Sequence, residues 1–212
     1  MALKKHKKPN EGEQENHSNR RHNERTVNDL IIDLKQAESA VERRWAARDL
    51  AEYPDAVQDL LDALVSEQDM TVFGAILDTL QNTKSNEVVN GLLPLLRSED
   101  AGKRNAVIEI LQSMPEMVAL HIIELLNDTD SDVRIFAIDI LQELAHPDTP
   151  KWLLSVLKDE THINVIATAV DRLAEVGEPE MIDALLDLKL RYPDEGYLHF
   201  AIDTAVARIK GE

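Results

Sequence analysis

The chain has 212 residues, 43% of them hydrophobic, 4% aromatic and none cysteine, with 40 acidic residues against 23 Lys and Arg for a formal net charge of −17. A surface of that sign repels phosphate backbones and argues against a nucleic-acid partner; the missing cysteines remove disulfides, thiol nucleophiles and thiolate metal sites. No apolar run approaches the roughly 18 residues of a membrane span, and no apolar signal region follows the basic start, so a soluble, cytoplasmic protein is expected.

Residues 1–25 read differently from the rest. After Leu3 they contain no hydrophobic residue, so burial cannot offset the entropy of ordering them, and a disordered tail is expected. Seven basic residues against four acidic ones give the tail +3 and leave −20 for the remainder. A basic arm on an acidic body has three options: folding back, meeting an acidic partner or surface, or serving only as a solubilising tail.

From residue 26 onward, two independent registers repeat. One set of apolar positions is Leu50, Leu80, Leu111, Leu141, Leu173 and Ala205, with Ala46, Ile76, Val107, Ala137, Ala169 and Ala201 four places earlier. The other is Leu34, Leu64, Leu95, Leu126, Leu157 and Leu188, with Ile31, Leu61, Leu92, Ile123, Leu154 and Leu185 three places earlier. Both recur on one shared period of roughly 31 residues, a length typical of two-helix repeats. The i, i+3, i+4, i+7 spacing around both is that of amphipathic helices, which predicts six pairs, each a first and a second helix, in an all-α body over 26–212.

Breakers fall between the helices. Pro54, Pro115, Pro147 and Pro179 stand near the starts of first helices, where a missing N–H costs little, and Pro94 inside a first helix should kink it. Gly177 is expected as a left-handed C-cap. Asp69, Asp100, Asp130 and Asp194 are placed to cap or charge the starts of second helices.

The clearest unit is Asp128-Thr129-Asp130-Ser131-Asp132-Val133-Arg134 followed by Ala137 and Leu141. It resembles the D-x-D-x-x-V-R-x-x-A-x-x-x-L pattern of the short bacterial HEAT-like repeats, the type also found in phycobilin lyases. Fainter copies begin at Glu42-Arg43 and Lys103-Arg104, while Phe73, Ile166 and Leu198 replace the arginine. The resemblance implies a right-handed α-solenoid of about six two-helix HEAT-like repeats. It places the first helices on the convex side and the second helices on the concave side. It says little of function, because such repeats serve scaffolds, adaptors and enzyme subunits alike. With about 9–10 Å between packed helices, six repeats make a rod roughly 50–60 Å long.

Counting each second helix from the position of Val133 as zero, the apolar positions 0, +4, +5 and +8 share one arc, and +6 points opposite. Position +6 holds Arg48, Asp78, Glu109, Asp139, Asp171 and Asp203: five carboxylates in a row after one arginine. Asp is a poor mid-helix residue, so propensity does not explain the row. It either faces a partner or forms ion pairs between repeats. Position +3 holds Trp45, Ala75, Ala106, Phe136, Thr168 and Phe200; position +2 holds Arg44, Gly74, Asn105, Ile135, Ala167 and His199. The small residues of repeats two and three leave a shallow depression between Trp45 and Phe136. Aromatics beside charge suit an interface, though each could equally be tucked into a repeat junction. The candidate partner-binding residues are therefore Arg44, Trp45, Arg48, Asp78, Glu109, Phe136, Asp139, Asp171, His199, Phe200 and Asp203.

The search for chemistry finds little. The seven histidines form no H-x-x-x-H or H-E pair, and there is no G-x-S-x-G, P-loop or G-x-G-x-x-G, so no catalytic, metal or cofactor residue is nominated. The residues alone favour a non-enzymatic scaffold or adaptor, in bacterial signalling or assembly, that holds a basic or amphipathic segment of a partner protein on its acidic concave face. The alternative is a lyase- or chaperone-like subunit acting on a cofactor-bearing protein. A DNA-glycosylase reading needs a basic concave face, and this one is expected to be acidic.

Overall fold

A computed structural model describes residues 25–143 and 146–212 of the chain; the expected tail, up to residue 24, lies outside the described residues. Thirteen α-helices follow one another, and no strand occurs among the described residues. The first helices are α1 (Val27–Gln36), α3 (Val57–Ser66), α5 (Asn86–Leu92), the split pair α7 (Pro115–Val118) and α8 (Ile122–Leu126), α10 (Thr149–Asp159) and α12 (Ile182–Arg191). The second helices are α2 (Ala40–Asp49), α4 (Met70–Thr83), α6 (Ala101–Gln112), α9 (Ser131–Glu143), α11 (Ile163–Val176) and α13 (Gly196–Lys210).

Both registers form the core. Every residue at +4 and at +8 of the second helices is buried, from Ala46 and Leu50 to Ala201 and Ala205. They belong to one continuous apolar cluster running from Leu30 to Val206, as stacked hairpins require. Successive second helices pack against one another along the whole series, from α2 and α4 to α11 and α13. The first helices do so less closely from α1 to α7, and more sparsely beyond. A stack packed tighter on one wall curves toward that wall, so the second helices form the inner side. The molecule is an α-solenoid of six helical pairs.

Local chemistry explains the boundaries. Thr26 and Asp29 close a capping box at α1: the Thr26 hydroxyl accepts from the Asp29 N–H and Asp29 accepts from the Thr26 N–H (2.9 Å). Asp69 accepts from the N–H of Thr71 and Val72, Asp100 from Gly102 and Lys103, and Asp130 from Asp132. Asp194 offers no side-chain cap, because Glu195 occupies the N-cap position of α13. Pro94 acts as expected, by conversion: α5 ends at Leu92 and runs on as a 3-10 turn through Arg97.

Two further expectations are corrected. Gly177 has φ −68° and ψ 153°, ordinary extended backbone. Its glycine is required instead by crowding, since a Cβ there would meet the Leu173 carbonyl oxygen at 2.5 Å and Ile209 at 2.6 Å. Ile123, a register residue, is 59% exposed, because the break between α7 and α8 turns the following helix so that Ile122, Leu125 and Leu126 face inward instead.

The signature arginine has a structural task. Arg134 makes a two-pronged pair with Glu160 (Nε to Oε2 2.7 Å, Nη2 to Oε1 3.0 Å) while its Nη1 donates to the Asp128 carbonyl at 2.7 Å. Arg43 repeats this with Glu67 (2.8 and 3.0 Å) and the Ala37 carbonyl (3.0 Å). Each arginine ties the loop of its own repeat to the loop of the next, and each glutamate also accepts backbone N–H groups just ahead of the following second helix.

Candidate functional site

The side chains at position +6 stand on the outward arc of the second helices, opposite the buried one, and the structure divides them. Arg48, Asp78, Glu109, Asp171 and Asp203 are exposed and Asp139 is half-buried. Asp78, Glu109 and Asp139 make no side-chain hydrogen bond or ion pair with another described residue, whereas Asp203 is paired with Lys189 of α12. No member of the row forms the expected ion pair with a neighbouring repeat among the described residues. Its last member is tied within its own repeat, and its middle members are not.

Asp139 and Asp171 stand on adjacent helices and line one cleft of about 240 Å³. Ile138 and Gln142 join Asp139 on α9; Thr168, Arg172 and Glu175 join Asp171 on α11. Burial pushes the carboxyl of Asp139 above the ordinary aspartate range. Burial does the same to Asp171, opposed by the positive charge of Arg208. Neighbouring groups hold the cleft open in a fixed shape. Gln112 donates to the Asp139 carbonyl (2.9 Å), and Arg172 donates to the carbonyls of Leu141 (3.3 Å) and Gln142 (2.7 Å) while pairing with Glu175. Among the described residues neither carboxylate has an ion pair, so the cleft holds two partly desolvated acidic groups side by side.

At the other end, Arg44, Trp45 and Arg48 form a cluster: the guanidinium of Arg44 lies 5.7 Å from the Trp45 ring centre and that of Arg48 5.3 Å. Beside it Gly74 leaves open space, since a Cβ there would meet nothing within 4 Å. Phe136 is half-buried under Arg104, whose guanidinium lies 5.6 Å from its ring centre, so it belongs to a repeat junction. Phe200 is 70% exposed. His199 is half-buried and its Nε2 is 2.9 Å from the Tyr192 carbonyl. The structure thus brings together two groups of candidates, Arg44, Trp45 and Arg48 in repeat one and Asp139 with Asp171 across repeats four and five, and leaves Asp78, Glu109, Phe136, His199, Phe200 and Asp203 outside both. Sequence reasoning missed Gln112, Gln142, Arg172 and Glu175, which shape the acidic cleft. The signal was a glutamine at +9 in three successive repeats, Gln81, Gln112 and Gln142.

Among the described residues no group of three His, Asp or Glu side chains could hold a metal ion, and no helix is long and apolar enough to cross a membrane.

Stacked helical pairs with a fork-forming arginine in the D-x-D-x-x-V-R unit define a repeat solenoid. Residues 119–198 match the family model of HEAT repeats. The chain is 29% identical over 153 residues, 70% of its length, to the bilin biosynthesis protein PecE of Mastigocladus laminosus. It is 28% identical over 167 residues, 76% of its length, to a HEAT repeat-containing taxis protein of Halobacterium salinarum. The chain spans 56% and 37% of the lengths of these relatives. The complex of CpcE and CpcF of phycocyanin lyase from Nostoc sp. PCC7120 overlays with a TM-score of 0.39 and 16% identity, covering 88% of this chain and 95% of that one.

These relatives correct one expectation. The lack of familiar catalytic motifs pointed to a protein that is no enzyme, yet one relative is named for bilin biosynthesis. A motif search finds self-contained active sites; it is blind to a subunit whose part in a reaction is to hold another protein and its cofactor.

Proposed function

We propose that this chain is a partner-holding subunit of the lyase- or chaperone-like class, acting on a cofactor-bearing protein that lies along the inner face of the second helices. The observation that carries the reading is the 29% identity over 153 residues to a protein of bilin biosynthesis. The chemistry of the inner face supports it: Asp139 and Asp171, outside any ion pair among the described residues, offer a basic segment of the partner two half-shielded charges in a preformed cleft. Affinity for such a partner falls as salt rises. Reversing both charges, Asp139→Lys with Asp171→Lys, abolishes capture of the partner from the native cell while far-ultraviolet circular dichroism stays unchanged. Undiminished capture by the double variant rejects the site. Preparations from the native host, or after co-expression with the captured partner, carry pigment or transfer it.

A second reading, an adaptor in signalling that holds a basic or amphipathic segment, is favoured by the taxis relative at 28% identity over 167 residues. The same purification separates the two: a colourless complex that transfers nothing supports the adaptor.

A further inference from the structure

The acidic inner wall has a basic end that a purely cationic partner would avoid. Arg44 and Arg48 sit one turn apart on α2, on either side of Trp45 in sequence, with their guanidinium groups 5.7 and 5.3 Å from its ring centre. Neither forms an ion pair with a described residue, in a chain whose acids outnumber its Lys and Arg by 40 to 23. Three arginine Nε groups are shut off from solvent without an acceptor, those of Arg44, Arg104 and Arg172. Arg104 and Arg172 still use their other donors, on the Ser98 carbonyl and on the Gln142 carbonyl and Glu175. Arg44 makes no hydrogen bond at all to a described residue. With Nε enclosed, the donors that Arg44 offers outward are its two Nη groups, fixed in direction by the aromatic face, and that pair matches a carboxylate end-on.

We propose that Arg44, Trp45 and Arg48 anchor a side-chain carboxylate of the bound partner segment, so that the inner wall selects an extended segment with acidic residues at one end and basic residues along the rest. The inference rests on the reading that a partner segment lies on this wall. Beside the anchor, Gly74 leaves the approach open, and the carboxylates of Asp78, Glu109 and Asp139, unpaired among the described residues, continue the path. Successive second helices lie about 9–10 Å apart, and a segment in the extended polyproline-II conformation advances about 3.1 Å per residue with every third side chain on one face, so basic residues at every third position match the ladder. The two charge signs on one wall also set which way round the segment lies.

The test uses the full chain and two synthetic peptides, acetylated and amidated, at low salt in a calorimeter. One has two glutamates followed by four lysines at every third position among glycine and serine; the other has glutamine in place of both glutamates. The wild-type chain binds the first about tenfold more tightly, and the Arg44→Gln/Arg48→Gln variant binds the two alike. Arg48→Gln alone, at an exposed side chain, narrows the difference without any risk to folding. The anchor is overturned if the wild type does not distinguish the peptides, if the double variant still does, or if neither peptide binds. Equal binding of both peptides that is lost in Asp139→Lys/Asp171→Lys would remove the anchor and leave the acidic cleft standing.

Discussion

Arg134 and Glu160 join two neighbouring repeats through a paired fork of 2.7 and 3.0 Å, and the same Glu160 oxygen that receives Nη2 accepts the backbone N–H groups of Thr161 (2.9 Å) and His162 (2.8 Å). The side chains are 14% and 7% exposed, so the pair is desolvated and cannot lose one member cheaply. Glu160→Gln is expected to cost about 3 kcal/mol in urea unfolding, the range for breaking a buried pair. Removing the exposed Lys151–Asp148 pair should leave the transition where it is. Equal effects for the two would show that the arginine fork does not couple repeats.

The pH dependence follows from the same carboxylates. Burial alone would raise Glu67 and Glu160, but the arginine fork and the backbone N–H groups outweigh it and hold both below the ordinary value of 4.5. A lowered folded value means that the unfolded chain binds the proton more readily, so their stabilisation is complete above pH 4.5 and drains away as pH falls below it. Asp139 and Asp171 run the other way. Burial raises them from 3.8, so the folded protein is relieved of a cost as they take up protons on the way down toward that value. Urea midpoints measured across the acid range should show a lower midpoint with a shallower fall toward acid in Glu67→Gln/Glu160→Gln and a loss of the acid-side relief in Asp139→Asn/Asp171→Asn.

Three glycines give a graded test of packing. Gly177→Ala drives a Cβ into backbone, the Leu173 oxygen at 2.5 Å, and should cost about 2–3 kcal/mol. Gly91→Ala meets the tip of Leu61 at 2.5 Å, a side chain that can turn, and should cost about 1 kcal/mol. Gly74→Ala meets nothing and gains helix propensity, so it should stabilise by about 0.5–1 kcal/mol. A different order in thermal unfolding would contradict the stacking described for α3 with α5 and α11 with α13.

The helical pairs were legible because burial repeats: an apolar residue at +4 and +8 of every second helix has one place to go, and the core takes all twelve. What escaped reading depends on partners distant in sequence. Arg43, Arg104 and Arg134 at +1 are each followed, at the end of the next first helix, by an acid, Glu67, Asp128 or Glu160, while Phe73 and Ile166 have Ser98 and Tyr192 at the matching place. That covariation between repeats signals the fork, although Arg104 does not complete one: Asp128 is taken by Arg97. Gly177 misled because a glycine after a helix has two explanations, positive φ and close approach, and only the packed neighbour Ile209 decides between them. Within the site, the +6 row could be read from periodicity, but which of its acids stay unpaired depends on Lys189 reaching Asp203 from another helix.

Asp139 offers the sharpest separation of a structural from a binding role. If it served the fold, neutralising it would weaken the protein. Its side chain has no partner among the described residues and its charge is held where burial disfavours it, so Asp139→Asn should leave the urea midpoint unchanged or slightly raised at neutral pH, within about 0.5–1 kcal/mol. The same substitution should weaken partner binding about tenfold, as loss of one half-shielded charge contact does, with a shallower salt dependence. Lower stability together with undiminished binding would assign Asp139 to the architecture and leave the cleft without a ligand.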